Sequence, residues 1–282
     1  MIEEKKTILL TGSAGMIGSA TAQALHEAGY RVIGVDRVAR ENTPWEQYVL
    51  DLNDEETLTK LVKENDVARI IHLAALAHAS NGKKYSWEMY YRLNVVCAQN
   101  VFRAAGQIPV LFISTVDVYG FTAGTVRADS AVKPVSHYAQ SKLMAEELCQ
   151  KLPNYTIFRF SPVYTDTVKR DIQKRYYLKY PKVAYLIGKG TQYEVLNIRN
   201  AVDAMVRWCG ETPEKQIRII KDPQPMDTAQ VVVQEKQEGR AKLVLKFPRW
   251  VVLTGYWILK ALTGRNKYTY LLNKAVNPLR TE

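Results

Sequence analysis

One strand–turn–helix unit near the amino terminus constrains this chain more than any other feature. Residues 7–11 (Thr-Ile-Leu-Leu-Thr) form an apolar run suited to a buried parallel strand. Glycines at G-x-x-G-x-x-G spacing follow in Thr11-Gly12-Ser13-Ala14-Gly15-Met16-Ile17-Gly18, and residues 19–28 then read as a helix stopped by Gly29. In that setting Gly12 permits a tight turn, Gly15 lets backbone approach a phosphate, and Gly18 lets helix and strand pack closely. The helix start offers unpaired N–H groups to a pyrophosphate, so the loop predicts a dinucleotide site. A second strand, Arg31-Val32-Ile33-Gly34-Val35, ends at Asp36, 18 residues past Gly18. An acid there can bind the adenosine ribose hydroxyls, which favours NAD over NADP. Arg37 beside it could turn toward a 2′-phosphate, so NADP stays open.

Strand and helix patterns alternate from residue 7 to about 160, as in a doubly wound parallel α/β sheet, the Rossmann fold. At 282 residues the chain has room for that unit and a small C-terminal substrate-binding portion. We expect residues 1–165 to be the NAD(P)-binding domain. Residues 166–282 should mainly bind substrate, with about 195–220 returning to the first domain. Mixed charge with Pro213, Pro223 and Pro225 predicts a loop-rich connection over 211–240, with Gln216–Ile220 as one more strand.

A second motif adds chemistry. Residues 136–152 read as a helix on which Tyr138 and Lys142, four apart, share a face. A free tyrosine titrates near 10, too high for a good base at neutral pH, and a neighbouring ammonium favours its phenolate. That ammonium can also bond the nicotinamide ribose. Thr115 closes the apolar strand Val110-Leu111-Phe112-Ile113-Ser114-Thr115 at its carboxyl end, where ligands bind in open α/β sheets. Its hydroxyl can donate and accept, so it can orient a substrate oxygen. The combination predicts hydride transfer at a carbinol carbon.

Over roughly residues 5–210 the chain resembles the extended short-chain dehydrogenase/reductases of the nucleotide-sugar epimerase/dehydratase group. T-G-x-x-G-x-x-G falls on Thr11–Gly18, the ribose acid on Asp36, the adenine-contacting D-[LV] pair on Asp51-Leu52, and H-x-A-[AG] on His72-Leu73-Ala74-Ala75. The helix asparagine falls on Asn94, S-[ST]-x-x-V-Y-G on residues 114–120, and Y-x-x-x-K on Tyr138 to Lys142. The resemblance implies catalysis by Thr115, Tyr138 and Lys142. It implies a cofactor held by Gly12, Gly15, Met16, Ile17, Gly18, Asp36, Arg37, Asp51, Leu52, Leu73, Ala74, Ala75, Asn94, Tyr138, Lys142 and Ser161. His72 reads as a structural hydrogen-bonder, whereas His78, Thr115 and Arg199 would line the substrate pocket.

The Ala74-Ala75-Leu76-Ala77-His78 stretch and Gly188-Lys189-Gly190-Thr191-Gln192 look like enzymes of O-antigen and capsule sugar synthesis. Departures from the pattern are Ser161 in place of the usual asparagine, Val163-Tyr164-Thr165-Asp166 in place of V-Y-G-P, and the lack of a G-[WY]-x-P segment near the C-terminus. The resemblance also implies a homodimer through helices near 90–105 and 138–152.

Cys97, Cys149 and Cys209 lack metal-ligand spacing and sit in apolar or helical settings, which suggests buried thiols in a reducing compartment and no metal. Met1-Ile2-Glu3-Glu4-Lys5-Lys6 has no signal-peptide apolar core, so a cytoplasmic protein is expected. The net charge of +11 is uneven: residues 239–282 carry nine Lys or Arg against one acid, Glu282. A second basic cluster, Lys169, Arg170, Lys174, Arg175, Lys179 and Lys182, is interleaved with Tyr176, Tyr177, Tyr180 and Tyr185. Some of these cations should meet a substrate diphosphate. No recognition motif accompanies the charge, so nucleic acid is not an expected partner. The apolar stretch 250–259, flanked by Arg249 and Lys260, is short of the ~20 residues needed to span a bilayer. It reads either as a substrate-domain or dimer-interface helix, or as a basic, Trp-bearing helix lying on a membrane surface.

These readings converge on a nucleotide-sugar 4-epimerase working through a 4-keto intermediate, with a 4-ketohexose reductase using dissociable NAD(P)H as the alternative. A dehydratase would place an acid pair after the strand hydroxyl, where this chain has Val116-Asp117. A non-catalytic NAD(P) sensor is disfavoured because both Tyr138 and Lys142 are present.

Overall fold

The computed structural model describes residues 6–77, 85–120, 124–167, 170–178 and 183–282. The chain divides into two units. The first comprises the chain through Thr115, His137–Phe160 and Ile198–Ile220. The second comprises Val116–Ser136, Ser161–Asn197 and Lys221–Glu282. Residues 116–136, expected in the cofactor domain, thus fall in the second unit.

The first unit is a seven-stranded sheet: β1 (Thr7–Thr11), β2 (Arg31–Asp36), β3 (Glu46–Val49), β4 (Val67–His72), β5 (Val110–Thr115), β6 (Tyr155–Phe160) and β7 (Gln216–Ile220). Every pairing is parallel, in the order β7-β6-β5-β4-β1-β2-β3. The winding reverses between β1 and β4, which opens the crevice where ligands of doubly wound sheets bind. β1 and β5 are buried along their whole length, as expected of apolar strands covered on both faces. β3, at the edge, is largely exposed and reads Glu-Gln-Tyr-Val.

Around the sheet run α1 (Met16–Glu27), α2 (Glu55–Glu64), α3 (Cys97–Ala105), α4 (His137–Cys149) and α5 (Ile198–Gly210). Leu9, Ile33, Ile70, Val101, Phe112 and Ile157 are among the residues of its core. α5 packs on α1, with the Thr21 hydroxyl 3.9 Å from Met205 Sδ. Arg69 stacks on Trp208 at 4.9 Å and donates to the Trp208 carbonyl. A buried ion pair, Arg159 to Glu146 at 2.7 Å, ties β6 to α4. Cys97, Cys149 and Cys209 are free and buried, and burial raises all three thiols.

The second unit is built from short pieces. Val183–Ile187 pairs in parallel with Leu243–Phe247, and Thr125–Val126 with Arg280–Thr281. Its core contains Ile172, Tyr176, Ala184, Tyr193, Val195 and Val232. The interleaved tyrosines are therefore partly interior: Tyr176 is fully buried, and the Tyr177 hydroxyl donates to Glu235 at 2.8 Å. Helices α6 (Thr228–Gln237), α7 (Arg249–Thr263) and α8 (Lys267–Val276) complete the unit. α6 occupies part of the stretch expected to be loop-rich. Pro223 and Pro225 precede it, and Asp227 caps it by accepting from the Ala229 amide at 2.8 Å. No helix among the described residues is long and apolar enough to cross a membrane.

Candidate active site

Because the sheet is parallel, β1, β2, β4 and β5 deliver their carboxyl ends to one edge. The segments that leave that edge are the glycine loop, Asp36, His72–Ala75 and the residues following Thr115. Gly12 has φ +76°, and its amide donates to the Val35 carbonyl at 2.8 Å. A Cβ on Gly12 would lie 2.8 Å from the Ala74 amide, and one on Gly18 only 2.0 Å from the Gly12 carbonyl oxygen. Both glycines are sterically required. Gly15 precedes α1 with no side-chain cap, which leaves the first amides of Met16 and Ile17 suited to an anion. Ser13 Oγ and Ser114 Oγ are buried without a partner among the described residues. Bare glycine backbone, an uncapped helix start and orphaned hydroxyls fit a dinucleotide.

Asp36 Oδ2 accepts from the Ala14 amide at 3.0 Å and Oδ1 from the Arg37 amide at 2.7 Å, so the acid is fixed beside the loop. Arg37 is exposed, and Arg40, which sequence reasoning missed, reaches the Ala14 carbonyl at 3.5 Å. An arginine four residues beyond Asp36 was the available signal. Asp51 is held below the usual carboxylate range by hydrogen bonds from Asn53. Leu52 is buried, and its carbonyl accepts from Asn100 at 2.9 Å. Leu73 and Ala74 are half-buried and Ala75 is exposed.

His72 lies at the end of β4, with Nδ1 2.7 Å from the Thr11 hydroxyl, which also accepts from the Ala74 amide at 3.3 Å. Burial, with the Lys142 charge adding to it, pushes the imidazole down to about 3, so it is neutral. It braces β1 against the loop after β4. Asn94 sits in a π-helical stretch (Tyr91–Val96) leading into α3. Its amide bonds the Leu76 backbone through both ends and donates to Ser141 Oγ at 2.9 Å. Ser141 in turn donates to the Tyr138 carbonyl at 2.8 Å. Asn94 thus links the loop after β4 to the helix that carries Tyr138.

Thr115 ends β5 and is buried; α4 lies on that strand. Tyr138 is half-buried in the first turn of α4, its ring 6.5 Å from that of Tyr90. Lys142, one turn on, is fully buried, with Nζ 4.0 Å from the centre of the Phe112 ring. Burial pushes the amine down to about 7, and the charge of Glu146 opposes that shift. Glu146 is 0 % exposed and is itself held by Arg159, a buried acid–base pair that polarity alone would have assigned to the surface.

Arg199 is exposed in the first turn of α5. Ser161 belongs to the second unit, where its buried Oγ, without a partner among the described residues, lines a small cleft. Asp117 and Lys274, which form an ion pair, line the same cleft, as does Arg175, stacked 4.8 Å from the Tyr193 ring. His78, Lys169, Lys179 and Lys182 lie outside the described residues.

The sequence profile of the NAD dependent epimerase/dehydratase family matches residues 8–218. The chain belongs to that family. The match runs from β1 into β7 and takes in the glycine loop, Asp36, Thr115, Tyr138 and Lys142. Among relatives of the NAD dependent epimerase/dehydratase family, the chain is 30% identical to a UDP-glucose 4-epimerase of Yersinia pestis over 55% of its own length and 53% of the relative's. It is 27% identical to a putative UDP-arabinose 4-epimerase of Arabidopsis thaliana over 50% of its length and 38% of the relative's. The chain therefore spans about half or less of these two relatives. In fold it resembles a UDP-glucuronic acid 4-epimerase from Bacillus cereus in complex with NAD, at TM-score 0.67 and 22% identity, over 86% of this chain and 89% of that one.

Proposed function

We propose that the chain is an NAD-dependent 4-epimerase of nucleotide sugars. The observation that carries this reading is Lys142, fully buried one helical turn beyond Tyr138 and over the strand that ends in Thr115. In this reading Gly12, Gly15 and Gly18 face the pyrophosphate and Asp36 the adenosine ribose. The bound nicotinamide would accept and return the C4 hydride. Tyr138 Oη takes the proton of the C4 hydroxyl, and Thr115 Oγ1 holds the same oxygen as it becomes a 4-keto group. Lys142 supplies the charge that favours the phenolate and a donor for the nicotinamide ribose. Proton return from Tyr138 Oη completes the inversion once the sugar has presented its other face. The segments at 74–78 and 188–192 support a role in surface-polysaccharide sugar supply, and the family resemblance supports a homodimer.

A second reading has its own observation. Arg37 is exposed beside Asp36 and the Arg40 guanidinium reaches the Ala14 carbonyl, a setting able to accept a 2′-phosphate. That would suit a 4-ketohexose reductase using dissociable NADPH. Native mass spectrometry of freshly purified protein separates the two. One NAD retained per chain, together with interconversion of UDP-glucose or a related UDP-sugar with its C4 epimer, is expected of the epimerase. An empty site that fills with NADPH assigns the reductase, and failure to bind either dinucleotide overturns both readings.

A further inference from the structure

The outer face of α7 is apolar and unpartnered among the described residues. On it Trp250, Val251, Trp257, Ile258 and Leu262 are 70, 42, 59, 55 and 78 % exposed. At 100° per residue these five fall within one face of the helix, together with exposed Thr254, Gly255 and Ala261. The opposite side is anchored inward by Tyr256, only 5 % exposed. No charged residue interrupts 250–259, and cations stand at both ends of it. Arg249 donates to the Val276 carbonyl at 3.0 Å, and Lys260 lies 4.4 Å from the Trp257 ring. α8 packs on α7 and adds exposed Tyr268 and Leu271, three residues apart.

We propose that this face docks the protein, in the plane of the interface, on an anionic lipid bilayer. At 15 residues α7 is about 22 Å long, too short to span. Tryptophan, with an apolar body and a polar N–H, is the side chain suited to the headgroup boundary. Charge decides between a bilayer and a protein partner. Residues 239–282 carry nine Lys or Arg and one acid, Glu282, so a second copy of the chain would bring its own positive field to the contact. An acidic lipid surface complements that field.

The test is co-flotation of the full chain with vesicles of phosphatidylcholine alone and with roughly one-third phosphatidylserine added. Binding to the acidic vesicles is expected, with a blue shift of tryptophan emission and release by high salt. Trp250→Ser with Trp257→Ser, and separately Leu262→Asp, should each lower the bound fraction by about tenfold or more. All three positions are exposed, so far-ultraviolet circular dichroism and dinucleotide binding should be unchanged. Those readouts keep failure here distinct from failure of the catalytic reading. Equal binding by the variants, or no preference for acidic vesicles, overturns the proposal. So would a dimer in lipid-free solution that the tryptophan variants abolish, since the face would then be a self-interface.

Discussion

Lys142, to which the proposed mechanism assigns a charge, is housed where charge is costly. Its amine titrates near 7 in the fold, against about 10.5 in an unfolded chain, because it is buried over the Phe112 ring. Between those values the unfolded chain binds the extra proton, so this group's contribution to stability rises with pH by about 1.4 kcal/mol per unit. That contribution is complete above the unfolded value and lost as pH falls through 7. Lys142→Met should flatten the rise when urea midpoints are compared from pH 7 to 10. Glu146→Gln is expected to destabilise by about 3–5 kcal/mol, since it leaves Arg159 charged and buried without its partner. In the proposed mechanism, Tyr138→Phe removes the proton carrier alone. Turnover on the matched nucleotide sugar should drop about 10²–10⁴-fold while retained dinucleotide stays the same. Tyr138 and Lys142 were legible because one helix sets their spacing. Glu146 and Arg159 were not, because their meeting depends on how α4 lies against β6.

At the scale of elements, the glycine loop was the clearest reading and also predicts the sharpest steric effect. Gly18→Ala would place a methyl 2.0 Å from the Gly12 carbonyl oxygen, a backbone atom that cannot move without reshaping the turn. We expect about 1–3 kcal/mol of lost stability and loss of dinucleotide retention, read by thermal melts and native mass spectrometry. Gly15→Ala, whose methyl would meet that oxygen at 3.2 Å, should be milder in melts. Buried strands were equally readable, since β1 and β5 carry continuous apolar runs. The π-helical turn that aims Asn94 at the Leu76 backbone left no such signal, because its residues keep ordinary helical periodicity. The second unit was harder still: strands such as Gln192–Tyr193 and Met226–Asp227 have two residues each, too few to show a period.

At the scale of the whole molecule, chain order and unit membership do not coincide. The first unit takes its last strand and last helix from residues 198–220, after the chain has already contributed to the second unit. An apparent domain boundary near residue 165 is therefore not a place to divide the protein. Ending the chain there would strip β7 from the edge of the sheet, exposing the backbone donors and acceptors of β6. It would also remove α5, which buries Ala201, Val202, Ala204, Met205, Trp208 and Cys209. At about 1.5–3 kcal/mol for each large apolar side chain, the loss approaches the 5–15 kcal/mol that typically holds a domain folded. Arg69 would lose the Trp208 carbonyl and ring that accommodate its buried guanidinium. A chain of residues 1–165 is accordingly expected to be largely insoluble and unable to retain dinucleotide, although it contains the glycine loop, Asp36, Thr115, Tyr138 and Lys142. Soluble yield and amide exchange in β6 provide the measurement. A well-folded, dinucleotide-binding fragment would show that α5 and β7 decorate the sheet rather than complete it.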